Sequence, residues 1–221
     1  VEPLLAGVQS RGLLPPARHG ELLFARLVAD ARTVAQKVVG AVGAAGPLPH
    51  LDAAVDLDGF KVHGRLNRIW PDRLLRYRCA KLKANDQLKA WVEHLVLNTV
   101  QGEGYPCRTM LIMSDKAVLF EPVAAAAEIL QQLSELYWLG LTRPLPFFPE
   151  SALAYATAKN PWDISKACAK WQDGYNDYPG EGNDRYFRLC FGKQEPFDEE
   201  FDRIARLLLV PMLQYRKQVK L

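Results

Sequence analysis

Three short apolar runs, joined by two-residue turn signals, constrain this chain most. Leu51 to Leu57 and Phe60 to Trp70 flank Asp58-Gly59, a dipeptide suited to a tight hairpin turn. Pro71-Asp72 makes the next turn and Leu74 to Cys79 forms a third run. The spacing predicts an antiparallel three-strand meander. Before it, His19 to Val42 reads as a helix broken by Gly40 and Gly43, and Gly46-Pro47-Leu48-Pro49 as a loop. After it, Asn85 or Asp86 caps a helix from Gln87 to about Val100, with Leu88, Trp91, Val92, Leu95 and Val96 on one face. Arg108 to Met113 and Ala117 to Phe120 are further strands around the turn Ser114-Asp115-Lys116, and a helix runs from about Pro122 to Leu139.

The last third differs in character. Leu145-Pro146-Phe147-Phe148-Pro149 is rigid and aromatic, with a core role favoured for Phe147 and Phe148 over an exposed docking knob. Ser151 to Lys159 reads as helix. Asn160 is expected to cap a second helix, Trp162 to Trp171, over its Pro161 start. Trp138, Trp162 and Trp171 are expected to pack this helical third. Asp173 to Asp184 reads as loop, Tyr186 to Leu189 as a short strand or turn, and Asp198 as the start of a closing helix that Pro211 kinks or ends.

The meander carries the chemistry. Gly64-Arg65-Leu66-Asn67-Arg68-Ile69, then Leu74-Leu75-Arg76-Tyr77-Arg78, have the layout of a two-metal nuclease core. That layout is a strand ending Gly-x-apolar-Asp and a hairpin partner reading apolar-apolar-Asp/Glu-x-Lys. Such enzymes need carboxylates to hold Mg²⁺ against the scissile phosphate, and a lysine to orient the attacking water. Here Asn67 stands at the first aspartate, while Arg76 and Arg78, two apart on one face, stand at the acid and the lysine. Asparagine offers a metal one neutral oxygen, and neighbouring arginines repel a divalent ion. A meander with no nuclease history stays open on these residues alone.

From Phe60 to Lys83 there are eight Lys/Arg against one acid, Asp72, a local net of +7 within a chain of net +3. Arg65, Arg68, Arg76, Arg78, Lys81 and Lys83 are candidates to neutralise DNA phosphates independently of sequence. Arg76 and Arg78 are equally candidates to pair with acids of a partner subunit or of this chain, such as Glu103 or Glu128. Some of these cations are alternatively the solvated face of a sheet. Glu93 is a conceivable migrated metal ligand but reads more simply as part of the wet face of its helix. The four cysteines, Cys79, Cys107, Cys168 and Cys190, make no C-x-x-C pair and read as reduced core thiols, which suits the cytoplasm. No run approaches the roughly 20 apolar residues of a membrane span. The start, Val1-Glu2-Pro3, suggests a piece of a longer protein.

Several segments resemble one known family. Gly12-Leu13-Leu14-Pro15 with Gly20-Glu21-Leu22-Leu23-Phe24, the segment Leu136 to Gly140, and above all Arg143-Pro144-Leu145-Pro146-Phe147-Phe148-Pro149 are similar to the carboxy-terminal domain of the exodeoxyribonuclease V gamma subunit. This is the RecC-type subunit of the RecBCD helicase-nuclease. Tyr186-Phe187-Arg188-Leu189-Cys190-Phe191 and Pro196 to Phe201 fit as well. The resemblance implies an inactive nuclease-like fold that helps split duplex DNA, guides single strands and contacts the beta and alpha subunits of an ATP-dependent exodeoxyribonuclease V.

Residues and resemblance together lead to one expectation. The fold is α/β (α+β): a restriction-endonuclease-like PD-(D/E)XK core over 1-141, with a mixed sheet flanked by helices, and a mostly helical extension over 142-221. The expected function is non-catalytic contact with DNA and partner subunits in double-strand-break repair, by a cytoplasmic fragment that is monomeric when isolated and uses no metal or cofactor. The alternatives are an active metal-dependent deoxyribonuclease with a migrated site and a pure subunit-interaction module.

Overall fold

The computed structural model describes residues 2–172, 179–192 and 195–220. Two N-terminal helices come first, α1 (Glu2–Ser10) and α2 (Ala17–Val42). The strands β1 (Leu51–Leu57), β2 (Phe60–Leu66), β3 (Ile69–Trp70) and β4 (Arg73–Tyr77) precede α3 (Ala84–Val100). Then come β5 (Thr109–Ile112), β6 (Ala117–Phe120), α4 (Ala126–Thr142), α5 (Pro149–Ala156), α6 (Ile164–Trp171), α7 (Arg185–Phe191), α8 (Glu199–Tyr215) and β7 (Arg216–Val219).

The expected single meander is two structures. β1 and β2 form a two-stranded sheet of their own, turned at Asp58-Gly59, where Gly59 takes the left-handed φ of 74° that a side chain would resist. The second run does not continue to Trp70. It breaks at Asn67-Arg68, where Arg68 adopts φ 59°, and β3 restarts in a five-stranded sheet of order β3-β4-β5-β6-β7. A left-handed residue cannot continue a pleated ladder, so the break decides which sheet each half joins. β4 and β5 are parallel and every other pair is antiparallel, with α3 as the crossover between the parallel strands. The mixed sheet flanked by helices is present.

Leu74 and Leu111 face α3, whose Trp91 and Leu95 join the main core. Leu75, Met110 and Ile112 face the other way, onto Val38, Ala41 and Val42 of α2. Strict alternation along β4 and β5 produces both layers. α2 runs unbroken through Gly40 and ends at Gly43, because one glycine in a long helix costs only about 1 kcal/mol. α4 starts at Ala126 rather than Pro122.

The final third holds several corrections. Asp163, not Asn160, caps α6, its carboxylate accepting from the Ser165 backbone N–H at 3.0 Å. Asp184 caps a helix, α7, where a strand or turn was expected. Seven residues with one good cap suffice when Phe187 and Phe191 pack edge-on against Phe148. α8 opens at Asp198 as expected but passes through Pro211 to Tyr215. β7, not anticipated, then returns to the core sheet beside β6. Phe148 is fully buried among Trp171, Phe187, Phe191, Phe197 and Phe201, and Phe147 is half-buried. Trp171 is buried, but Trp138 is exposed on α4, edge-on to Phe60 of the hairpin. Cys79, Cys107 and Cys190 are exposed and Cys168 is half-buried, so the four thiols are free but not core residues. Of the expected loop, residues 173–178 lie outside the described residues.

Candidate functional site

The site forms because β4 and α3 run back to back. β4 ends at Tyr77, the chain turns through Lys81 and Lys83, and α3 returns antiparallel to the strand. Residues early in α3 therefore face the end of β4, and residues two turns later face its middle. Asp86 and Glu93, seven apart, share one helix face and meet Arg78 and Arg76, two apart on one strand face.

Arg76 is the centre of the arrangement. Its Nε donates to Glu93 Oε2, and its Nη1 donates to the backbone oxygens of Asn67 at 2.7 Å and Leu75 at 2.9 Å. Its side chain is only 17% exposed, and that of Glu93 38%. Arg78 Nη1 lies 2.9 Å from Asp86 Oδ1, and the Asp86 side chain is 10% exposed. Asp86 also accepts from the Lys83 backbone N–H at 3.3 Å, closing the first turn of α3, where the helix dipole favours a carboxylate. Between these pairs lies a cavity of about 180 Å³, lined by Arg76, Arg78, Asp86, Lys89 and Glu93. It is closed chemically: each guanidinium already has a carboxylate.

The partners differ from those expected. Glu93 is not simply on the wet face of α3; it is half-buried and ion-paired. Arg76 and Arg78 pair inside the chain, though with Glu93 and Asp86 rather than Glu103 or Glu128. Asn67 meets Arg76 through its main-chain oxygen, with its residue exposed at the β2–β3 break. The match between acids seven apart on a helix and arginines two apart on the preceding strand was the readable signal for these pairs.

The remaining cations divide clearly. On the hairpin, Arg65 Nε binds Asp52 Oδ1 at 2.6 Å and Lys61 lies 3.5 Å from Asp56, both as cross-strand partners. Hydrogen bonding from Arg65 holds the Asp52 carboxyl below its usual range. Arg73 pairs with Asp72. Five of the eight cations in this stretch are thus neutralised internally, so the net of +7 counted along the sequence overstates the surface field. Among the described residues, Arg68, Lys81 and Lys83 make no ion pair. Arg68 lies over the Tyr77 ring, 4.9 Å from its centroid.

His94, behind the site on α3, is fully buried and polar on both sides of its ring. Its Nδ1 faces Thr109 Oγ1 at 2.9 Å and its Nε2 faces the Glu121 carbonyl at 3.0 Å. A neutral ring satisfies both, with Nε2–H donating to the carbonyl and Nδ1 accepting from the hydroxyl. Burial pushes its pKa down to about 4. It is a structural histidine. Among the described residues, no three His, Cys, Asp or Glu side chains converge as metal ligands. No helix among them is long and apolar enough to cross a membrane.

A second surface feature lies between α3, α4 and α8, an apolar groove of about 460 Å³ lined in part by Trp91, Leu133, Tyr137, Leu141 and Leu208. Tyr137, Trp138 and Leu141 stand exposed at or beside it.

Comparison with known proteins agrees with this chain's segments. The family described as the RecC C-terminal domain matches residues 1–160. The RecBCD enzyme subunit RecC of Escherichia coli (strain K12) is 26% identical over 234 aligned positions, which cover 98% of this chain and 20% of that protein. The RecBCD enzyme subunit RecC of Mycobacterium tuberculosis (strain CDC 1551 / Oshkosh) is 27% identical over 199 positions, 85% of this chain and 18% of that protein. The chain spans about a fifth of the length of these curated relatives.

Proposed function

The chain belongs to the RecC C-terminal domain family, and from that premise we propose that it is a non-catalytic domain with a nuclease-like core, contacting DNA and partner subunits in a double-strand-break repair helicase-nuclease. The observation that carries this reading is the pairing of Arg76 with Glu93 and of Arg78 with Asp86. At the places where a two-metal nuclease gathers carboxylates around Mg²⁺, guanidinium groups do the ions' electrostatic work permanently. A carboxylate already bound to arginine has little left to offer a metal, and displacing the cation would leave it unpaired in a partly buried site.

The β3–β4 hairpin, the α3 crossover and the parallel strand β5 support a PD-(D/E)XK-like descent. In this reading residues 1–141 are the nuclease-like core and 142–221 an extension packed on it, which lends β7 to the core sheet. Arg68, Lys81 and Lys83 are the cations left for phosphates, whereas Arg76 and Arg78 serve the fold. The apolar groove and exposed side chains of α4 suit a protein partner, in this setting the beta or alpha subunit of exodeoxyribonuclease V. In this reading the domain works in the cytoplasm and uses no cofactor of its own.

Fluorescence anisotropy with labelled forked and blunt DNA tests the proposal. Affinity should fall with rising salt and fall further in Lys81→Glu, with no Mg²⁺-dependent cleavage of linear DNA. Cleavage abolished by Glu93→Ala would establish an active nuclease instead. A complete lack of DNA binding would leave a pure subunit-interaction module.

A further inference from the structure

Asp58-Gly59 turns β1 directly into β2, so the two strands satisfy each other. Their seven cross-strand pairs run from Leu51↔Leu66 to Leu57↔Phe60, and among the described residues neither strand pairs with the five-stranded sheet. The ion pairs Arg65–Asp52 and Lys61–Asp56 cross from strand to strand and stiffen the hairpin. No ladder hydrogen bond has to break for it to change its angle as one body.

Both ends leave the core at one place. The Leu48 N–H donates to the Ile69 carbonyl at 2.7 Å, and beyond that contact Pro49-His50 and Asn67-Arg68 are the two links to the hairpin. All four residues are exposed and outside the strands, as hinge residues usually are. The Arg68 carbonyl accepts from the Leu75 N–H at 3.0 Å, which fixes Arg68 to β4 and leaves the pivot between Asn67 and Arg68. Arg68 is left-handed there, a backbone that persists in a non-glycine residue when its surroundings hold it. Arg76 supplies that hold. Its Nη1 donates to the Asn67 carbonyl at 2.7 Å while its Nε is engaged by Glu93 of α3. On the other link, Tyr105 Oη reaches the His50 carbonyl at a long 3.4 Å.

The hairpin is seated lightly. Of its fourteen strand residues Ala53, Val55 and Leu66 are buried, and β1 rests on α3. At the tip, Gln131 Nε2 of α4 donates to the Asp58 carbonyl at 3.0 Å, and Trp138 meets Phe60 edge-on while staying 60% exposed. Gln131 Oε1 is buried there with no donor among the described residues. A buried acceptor without a donor is costly, and lifting the tip lets water reach it.

We propose that the β1–β2 hairpin is a hinged arm, turning as a rigid body about Pro49-His50 and Asn67-Arg68, with Arg76 as the catch that holds it closed on α3 and α4. The device needs neither the DNA contact nor the nuclease descent proposed above.

Native-state thiol labelling of the full 221-residue chain, mapped by mass spectrometry, tests it. Val55→Cys puts a small apolar thiol under the arm, and Val118→Cys puts one in the core of the five-stranded sheet, as a reference for global unfolding. The thiol of Val55→Cys should react roughly tenfold or more faster than that of Val118→Cys, while hydrogen exchange leaves the β1–β2 ladder amides protected. Arg76→Met should raise the Val55→Cys rate roughly tenfold or more, the worth of hydrogen bonds from a charged group, and keep it ahead of Val118→Cys in the same background. Where Arg76→Met fails to fold, Gln131→Ala frees the other end of the arm and should raise the rate roughly fivefold. Equal rates for the two thiols, labelling unchanged in these variants, or ladder amides that exchange as fast as the thiol reacts would each overturn the arm.

Discussion

A double-mutant cycle on Arg76 and Glu93 measures the energy of the ion pair on which the proposed function rests. Exposed ion pairs contribute about 0.2–1 kcal/mol, whereas removing one partner of a fully buried pair costs about 3–5 kcal/mol. Side-chain exposures of 17% and 38% place this pair between those limits. Arg76→Met also strips hydrogen bonds from the Asn67 and Leu75 carbonyls, and a loss of about 2–3 kcal/mol is expected. Glu93→Gln keeps an acceptor for Nε but loses the charge, for about 1–2 kcal/mol. Combining the two should cost at least about 1 kcal/mol less than the sum, because each single change already removes the pair. Urea denaturation gives the four stabilities directly. In thermal melts Arg76→Met should lower Tm by about 5–10 °C for a chain of this size. Additivity within about 0.3 kcal/mol would refute the reasoning, since it would mean that the two groups do not share an interaction.

Three other outcomes follow from the fold. His94 is neutral when folded, with its pKa depressed to about 4 from an ordinary 6.5. Its contribution to stability is therefore intact above about pH 6.5, falls by up to about 1.4 kcal/mol per unit as pH drops towards 4, and levels off below; in urea denaturation across pH, His94→Gln should flatten that segment. Phe148→Ala empties the centre of the aromatic cluster that joins α5, α6, α7 and α8, and should cost about 3–5 kcal/mol by chemical denaturation, with near-ultraviolet circular dichroism reporting lost packing. Asp198→Ala removes the carboxylate that accepts from the Phe201 N–H at 2.8 Å and should cost about 1 kcal/mol by the same measurement, with Asp198→Asn recovering most of it.

Local signals in the chain were legible where one residue decided the structure. Asp58-Gly59 gave its hairpin, Asp198 its cap, and the alternation of β4 its two faces. Sheet membership was not legible, because it turned on the left-handed backbone of Arg68, which is arginine rather than the glycine or asparagine that would advertise it. The helix of residues 185–191 was masked by aromatic residues that favour strands in isolation but here pack on Phe148. β7 was hidden because Arg216, Lys217 and Gln218 read as a polar tail, yet edge strands tolerate such residues. At the site, the cations Arg76 and Arg78 were visible in the sequence. Their acidic partners escape a clustered charge count, which ignores acids that arrive from another element, although the seven-residue spacing of Asp86 and Glu93 carried the signal.

In the proposed function, arginines paired to Glu93 and Asp86 occupy the place a nuclease gives to its ions. Diffraction from crystals soaked in Mn²⁺, with anomalous data, tests it most directly. Arg76 should remain on Glu93 and Arg78 on Asp86, with no anomalous peak between them. A manganese ion coordinated by either carboxylate, with its arginine swung aside, would contradict the account.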